Sequence, residues 1–91
     1  NQWVIDSYEV LRKARLIITA VVDMETGVRG YLLTGAEEFL KPYNDNKEGI
    51  LKDIEILEAA VRGDLAQSTR AQAIKTRYIE AADLLRRKIE L

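Results

Sequence analysis

Residues 17–35 read Ile17-Ile18-Thr19-Ala20-Val21-Val22-Asp23-Met24-Glu25-Thr26-Gly27-Val28-Arg29-Gly30-Tyr31-Leu32-Leu33-Thr34-Gly35, and their spacing decides the fold class. Ile17, Val21, Met24, Val28 and Tyr31 recur in alternating steps of four and three, which places them on one stripe of an α-helix. No strand-like alternation of period two runs through the segment. The stripe continues backwards through Ala14, Val10, Ser7 and Trp3, so one helix is predicted over residues 2–34. At 1.5 Å per residue it is about 50 Å long. A second column, one residue further on, reads Val4, Tyr8, Leu11, Arg15, Ile18, Val22, Glu25, Arg29 and Leu32. The two columns together make an apolar face wide enough for a bundle. Gly35 is the natural stop, because glycine accepts the left-handed conformation that follows a helix end.

Beyond Gly35 the pattern resumes over residues 37–62. Pro42 cannot donate a backbone hydrogen bond and fits best in a first helical turn. A short turn is therefore expected over 37–40, with the main helix running on from near Pro42. Leu40, Tyr43, Ile50, Ile54, Leu57 and Val61 share one face, interrupted by Lys47. Gly63 is expected to end this helix. Asp64 and Gln67 have the spacing of a capping box, in which two side chains satisfy free amides at a helix start. A third helix follows over 65–90, with Ala71, Ile74, Tyr78, Ala81 or Ala82, Leu85 and Ile89 as its seam. The fold class is all-α: an up-down helical bundle with three long helices here, expected to be part of a four-helix bundle. A groove is expected to stay open along it, closed by a fourth helix, a partner chain or both.

Composition narrows the function. The chain has 91 residues, enough for one domain, with a formal net charge of −1 and neither Cys nor His. Zinc sites built on Cys or His and the common nucleophile–base pairs are thereby excluded. No basic stripe supports nucleic-acid binding. No apolar run approaches the roughly 20 residues that span a bilayer, and there is no phosphate-binding glycine loop. No catalytic residue, metal ligand or cofactor site is expected. The chain starts at Asn1 without a signal peptide and reads as a piece of a longer protein.

The segment Glu25-Thr26-Gly27-Val28-Arg29-Gly30-Tyr31-Leu32-Leu33-Thr34-Gly35 is unusual for a helix. Each internal glycine costs about 1 kcal/mol relative to Ala, and close approach of another backbone is the usual reason for accepting that. Glu25 and Arg29 stand four apart and meet on one helix surface, which suggests a partly buried charged pair beside a tight contact. The string closely resembles the signature of the CHASE family of extracellular sensor domains, third subtype, with Val28 in the variable position. Trp3-Val4, Phe39-Leu40, Pro42 and Tyr43 resemble that family's surroundings of the signature, so the resemblance covers nearly the whole chain. It departs from the family in stopping after the third helix and in lacking a Pro near residues 64–68.

The resemblance implies a helical bundle outside the cytoplasmic membrane, flanked by transmembrane helices of the parent protein. The parents are sensor histidine kinases, chemoreceptors or nucleotide cyclases. Glu25, Thr26, Gly27, Arg29, Gly30, Tyr31, Leu32, Thr34, Gly35, Pro42 and Tyr43 are its signature positions here. A homodimer with the first helices near the two-fold axis is expected, and an unknown small-molecule ligand is a possible partner. The competing reading is a spacer or dimerisation bundle with no ligand of its own.

Each remaining feature has a plain reading beside its sharper one. Glu25 and Arg29 could bind a charged ligand, but buried paired charges are more often structural. Gly27 and Gly30 could act as a hinge, or simply permit close packing. Asp45, Glu48, Asp53, Glu55 and Glu58 read as a solvated face rather than a metal site. Tyr8, Tyr31, Tyr43 and Tyr78 could line a cavity, with core packing the default. Arg62-Gly63-Asp64 spells an adhesion tripeptide where a cap is needed anyway. Arg86-Arg87-Lys88 suits a helix C-terminus through the macrodipole.

Overall fold

The computed structural model describes residues 7–91. Trp3 and Val4 lie outside the described residues. Among the described residues there are three α-helices and one short 3₁₀ turn: α1 (Ser7–Thr34), η1 (Glu37–Leu40), α2 (Lys41–Ala60) and α3 (Leu65–Glu90). They run up, down and up as a bundle of 50 × 18 × 15 Å, and each helix touches the other two.

The stripe of four-and-three spacing is what α1 buries. Val10, Ile17, Met24 and Val28 enter the core, and Ala14, Val21 and Tyr31 are half-buried beside them. The helix ends where a residue with positive φ is available: Gly35 sits at φ +73°, and its amide donates to the Tyr31 carbonyl at 2.7 Å. Thr34 reinforces the end, its hydroxyl donating to the Gly30 carbonyl at 2.7 Å and accepting from the Ala36 amide at 3.1 Å.

Pro42 stands in the first turn of α2, where its missing N–H leaves no hydrogen bond unmade. Ile50, Ile54 and Leu57 form the middle of the core, with Ile54 and Leu57 fully buried. The interruption at Lys47 is accommodated on both sides. Its Nζ lies 5.2 Å from the centroid of the Tyr43 ring, and its carbonyl accepts a hydrogen bond from the buried Tyr78 hydroxyl of α3.

Two boundary details differ from the sequence reading. The helix closes at Ala60, before Gly63, and among the described residues Gly35 alone has a positive-φ backbone. Val61 is buried and its amide still donates to Leu57, while the Asp64 amide donates to Val61. The turn is therefore held by core burial and hydrogen bonds rather than by a left-handed glycine. The capping box forms by half. Asp64 Oδ1 accepts from the Gln67 amide at 3.1 Å, but the Gln67 side chain is buried and its Nε2 donates across to Ser7 Oγ at 3.3 Å. A contact with α1 has displaced the reciprocal bond within α3.

The third helix buries Ala71, Tyr78 and Leu85, with Ile74, Ala82 and Ile89 packed alongside. Lys75 Nζ lies 3.3 Å from Glu58, bridging α3 to α2. The basic cluster near its end is engaged locally: Arg86 with Asp83 and Glu90, and Arg87 with Asp83.

Candidate functional site

The signature segment lies in the upper half of α1, where η1 crosses it. The crossing is close because positions 27 and 30 carry no side chains. A Cβ at position 27 would run into the Phe39 carbonyl oxygen and would sit 3.5 Å from the Pro42 ring; one at position 30 would lie 2.6 Å from Phe39 Cδ1. Van der Waals contact between carbons falls at about 3.5–4.0 Å, so either addition forces a displacement. The two glycines are thus a seat for η1. Gly27 is itself buried, and Val28 beside it is only 1% exposed in the core.

The remaining signature residues divide between two faces. Glu25 is half-buried and lines a groove of about 190 Å³ between α1 and α3, together with Ile18, Val22, Ala73, Ile74 and Arg77. Arg29 is exposed and borders a different, wide hollow beside the seat, with Asp23, Thr26, Leu33, Glu38 and Phe39. The charged pair expected from their spacing therefore does not form, and among the described residues no ion pair links Glu25 to Arg29. Four residues of separation brings two Cβ atoms near each other; here the long side chains have different cavities to fill.

Thr26 and Leu32 are exposed, Tyr31 is half-buried, and Tyr43 is buried under the core. Thr34 and Gly35 serve the helix end, and Pro42 packs towards Gly27. Tyr8 is 81% exposed and stands apart from the other three tyrosines. Burial holds the Tyr78 hydroxyl above the usual phenol range, with nearby Tyr43 adding to the shift.

Two contributors stand outside the eleven signature positions. Phe39 meets both glycines, with the Pro42 ring beside it at Gly27; its sequence signal was its place in the Phe39-Leu40 pair that resembles the surroundings of the signature. Arg77 borders the α1–α3 groove opposite Glu25, and nothing in its local sequence marks it.

What the geometry offers at the seat is a packed contact of two glycines against Phe39 and Pro42. Among the described residues no three acidic side chains gather as a metal site. Asp45 pairs with Lys41 at 2.9 Å and Glu58 with Lys75. Asp64 of the tripeptide is occupied as a helix cap. No described helix is long and apolar enough to cross a membrane. In comparison with known proteins, the family model of the CHASE3 domain matches residues 1–91. No curated protein and no solved structure matches the chain.

Proposed function

The chain belongs to the CHASE3 domain family, the extracellular sensory domains of signalling receptors, and from that premise we propose that it is the extracytoplasmic input domain of a transmembrane receptor. A sensor histidine kinase is the preferred parent, ahead of a chemoreceptor or a nucleotide cyclase. The family match over the whole chain carries this reading. The catalytic output resides in other domains of the parent, and the bundle contributes a change in packing.

A stimulus acts by favouring one arrangement of the bundle over another. A differential affinity of about 1–3 kcal/mol between two states suffices for such coupling. The groove of about 190 Å³ between α1 and α3 leaves room for repacking, with Ile18 and Val22 on its wall each 51% exposed.

The test is made on the parent protein. A reporter that is active only outside the cytoplasm, fused directly after Leu91, is expected to be active, and apolar stretches of about 20 residues are expected on both sides of the segment. Polar flanks with an inactive reporter would sink the placement and leave a soluble dimerisation bundle. Locking α1 to α3 with an engineered disulfide should change the parent's output; an unchanged output would point to a passive spacer.

A further inference from the structure

The hollow beside the glycine seat gathers charges that find no partner among the described residues. Asp23 and Arg29 reach its wall from α1, and Glu38 from η1. None of the three makes an ion pair there, whereas elsewhere neighbouring charges do pair, Lys41 with Asp45 and Arg86 with Asp83. Thr26 also borders the hollow. Thr34 and Thr69 each turn the hydroxyl back onto a helix carbonyl, but Thr26 makes no such bond among the described residues.

Between these polar groups the surface is apolar. Leu33 is 80% exposed and Phe39 40%, and the missing side chains of Gly27 and Gly30 keep the floor low. The hollow measures about 560 Å³, within the roughly 300–1,000 Å³ of small-molecule sites. It shares no residue with the α1–α3 groove. Around the helix axis Gly27 is turned about 160° from Glu25, so the hollow stays open whatever covers that groove.

The charges name the ligand. Two carboxylates and one guanidinium are complemented by two cations and one anion. A guanidinium fork suits a carboxylate. Asp23 and Arg29 lie six residues apart, about 9 Å along the axis, so the ligand is extended. Its middle rests on Leu33 and Phe39, so it is aliphatic there. A basic α-amino acid carries all of these groups: a carboxylate, an α-ammonium, a methylene chain and a second cation. A phosphate or a dicarboxylate would meet like charge at Asp23 and Glu38, and a plain diamine would leave Arg29 unanswered.

We propose that the hollow between α1 and η1 is a binding site for a basic α-amino acid. Arg29 takes its carboxylate, Asp23 and Glu38 take its two cations, and Leu33 and Phe39 cover its methylene chain. This goes beyond the receptor reading and does not depend on it. Binding is measured on the chain itself, whereas the reporter fusion tests only where the chain lies.

Isothermal titration calorimetry with L-lysine, at about 0.15 M salt so that distant charges are screened, tests this. Saturable one-to-one binding to the chain is expected. Cadaverine lacks the carboxylate and L-norleucine lacks the second cation, and each should bind about tenfold more weakly or worse. Arg29→Gln should weaken lysine about tenfold and leave cadaverine unweakened, because only lysine uses the guanidinium. Asp23→Asn and Glu38→Gln should weaken both compounds. Glu80→Gln, on the exposed surface of α3, should change neither. All four positions are exposed, so helicity by circular dichroism should be unchanged. No saturable binding of lysine at millimolar concentration overturns the proposal. Lysine binding that ignores Arg29→Gln, that is matched by norleucine, or that weakens equally in Glu80→Gln overturns it as well.

Discussion

The Phe39 ring occupies the space that any side chain at position 30 would need, with Cδ1 2.6 Å from where a Cβ would stand. One glycine below, it is the Phe39 backbone rather than the ring that blocks the way. A ring can swing aside, whereas a carbonyl inside η1 moves only with its backbone. The two glycines therefore differ in how strictly they are required.

Gly27→Ala is expected to destabilise the fold by about 1–3 kcal/mol, as overpacking does, despite the better helix propensity of Ala. Gly30→Ala should cost less, and the loss should shrink further in a Gly30→Ala/Phe39→Leu background. Gly49 in α2 has open space around it, so Gly49→Ala should gain up to about 1 kcal/mol. Urea unfolding of the variants checks the order. Equal effects at positions 27 and 49 would refute the seat.

Ile54 and Leu57 are fully buried at the centre of the core. Replacing either with Ala should cost about 2–5 kcal/mol, a large share of the stability of so small a domain. Ile56, between them in sequence, is 59% exposed. Ile56→Ala should change the melting temperature little.

The Tyr78 hydroxyl donates to the Lys47 carbonyl and is held above its ordinary value of 10.0, first by burial. A raised folded-state value means that the neutral phenol is favoured in the fold. The corresponding stability is fully present below about pH 10 and is lost as pH rises through the folded value. Tyr78→Phe should cost about 0.5–1.5 kcal/mol at neutral pH, and its alkaline unfolding limb should be flatter than that of the wild type. Parallel alkaline limbs would show that Tyr78 is not the group responsible.

Asp64→Ala removes the oxygen that accepts the Gln67 amide and should cost about 1 kcal/mol. Asp64→Asn retains an acceptor and should cost less. Thermal melts of the two variants separate capping from a bare charge effect.

What the sequence disclosed follows from what periodicity encodes. The core stripe of α1, the short turn before Pro42 and the stop at Gly35 are local, because spacing and backbone preference act within a few residues. The all-α class follows from the same signal. Contacts between segments were less visible. Phe39 was readable as an aromatic residue but not as the cover of two glycines, since that needs the angle at which η1 returns. The Glu25–Arg29 pair was wrongly expected because a four-residue spacing fixes only where two side chains start. The α1–α3 groove and the hollow beside Phe39 decide where they go. Gln67 likewise left its capping partner for Ser7, a choice made by the packing of α3 on α1.

The glycine seat also has a mechanical consequence. In a helix each residue advances by 100°, so Thr26 and Leu33 flank the seat on one side, Met24 and Tyr31 on the other. Any twist of α1 about its own axis drives one of these side chains into Phe39. The seat works as a keyway: turning α1 at this end brings a bulkier side chain under Phe39, and that contact resists the rotation.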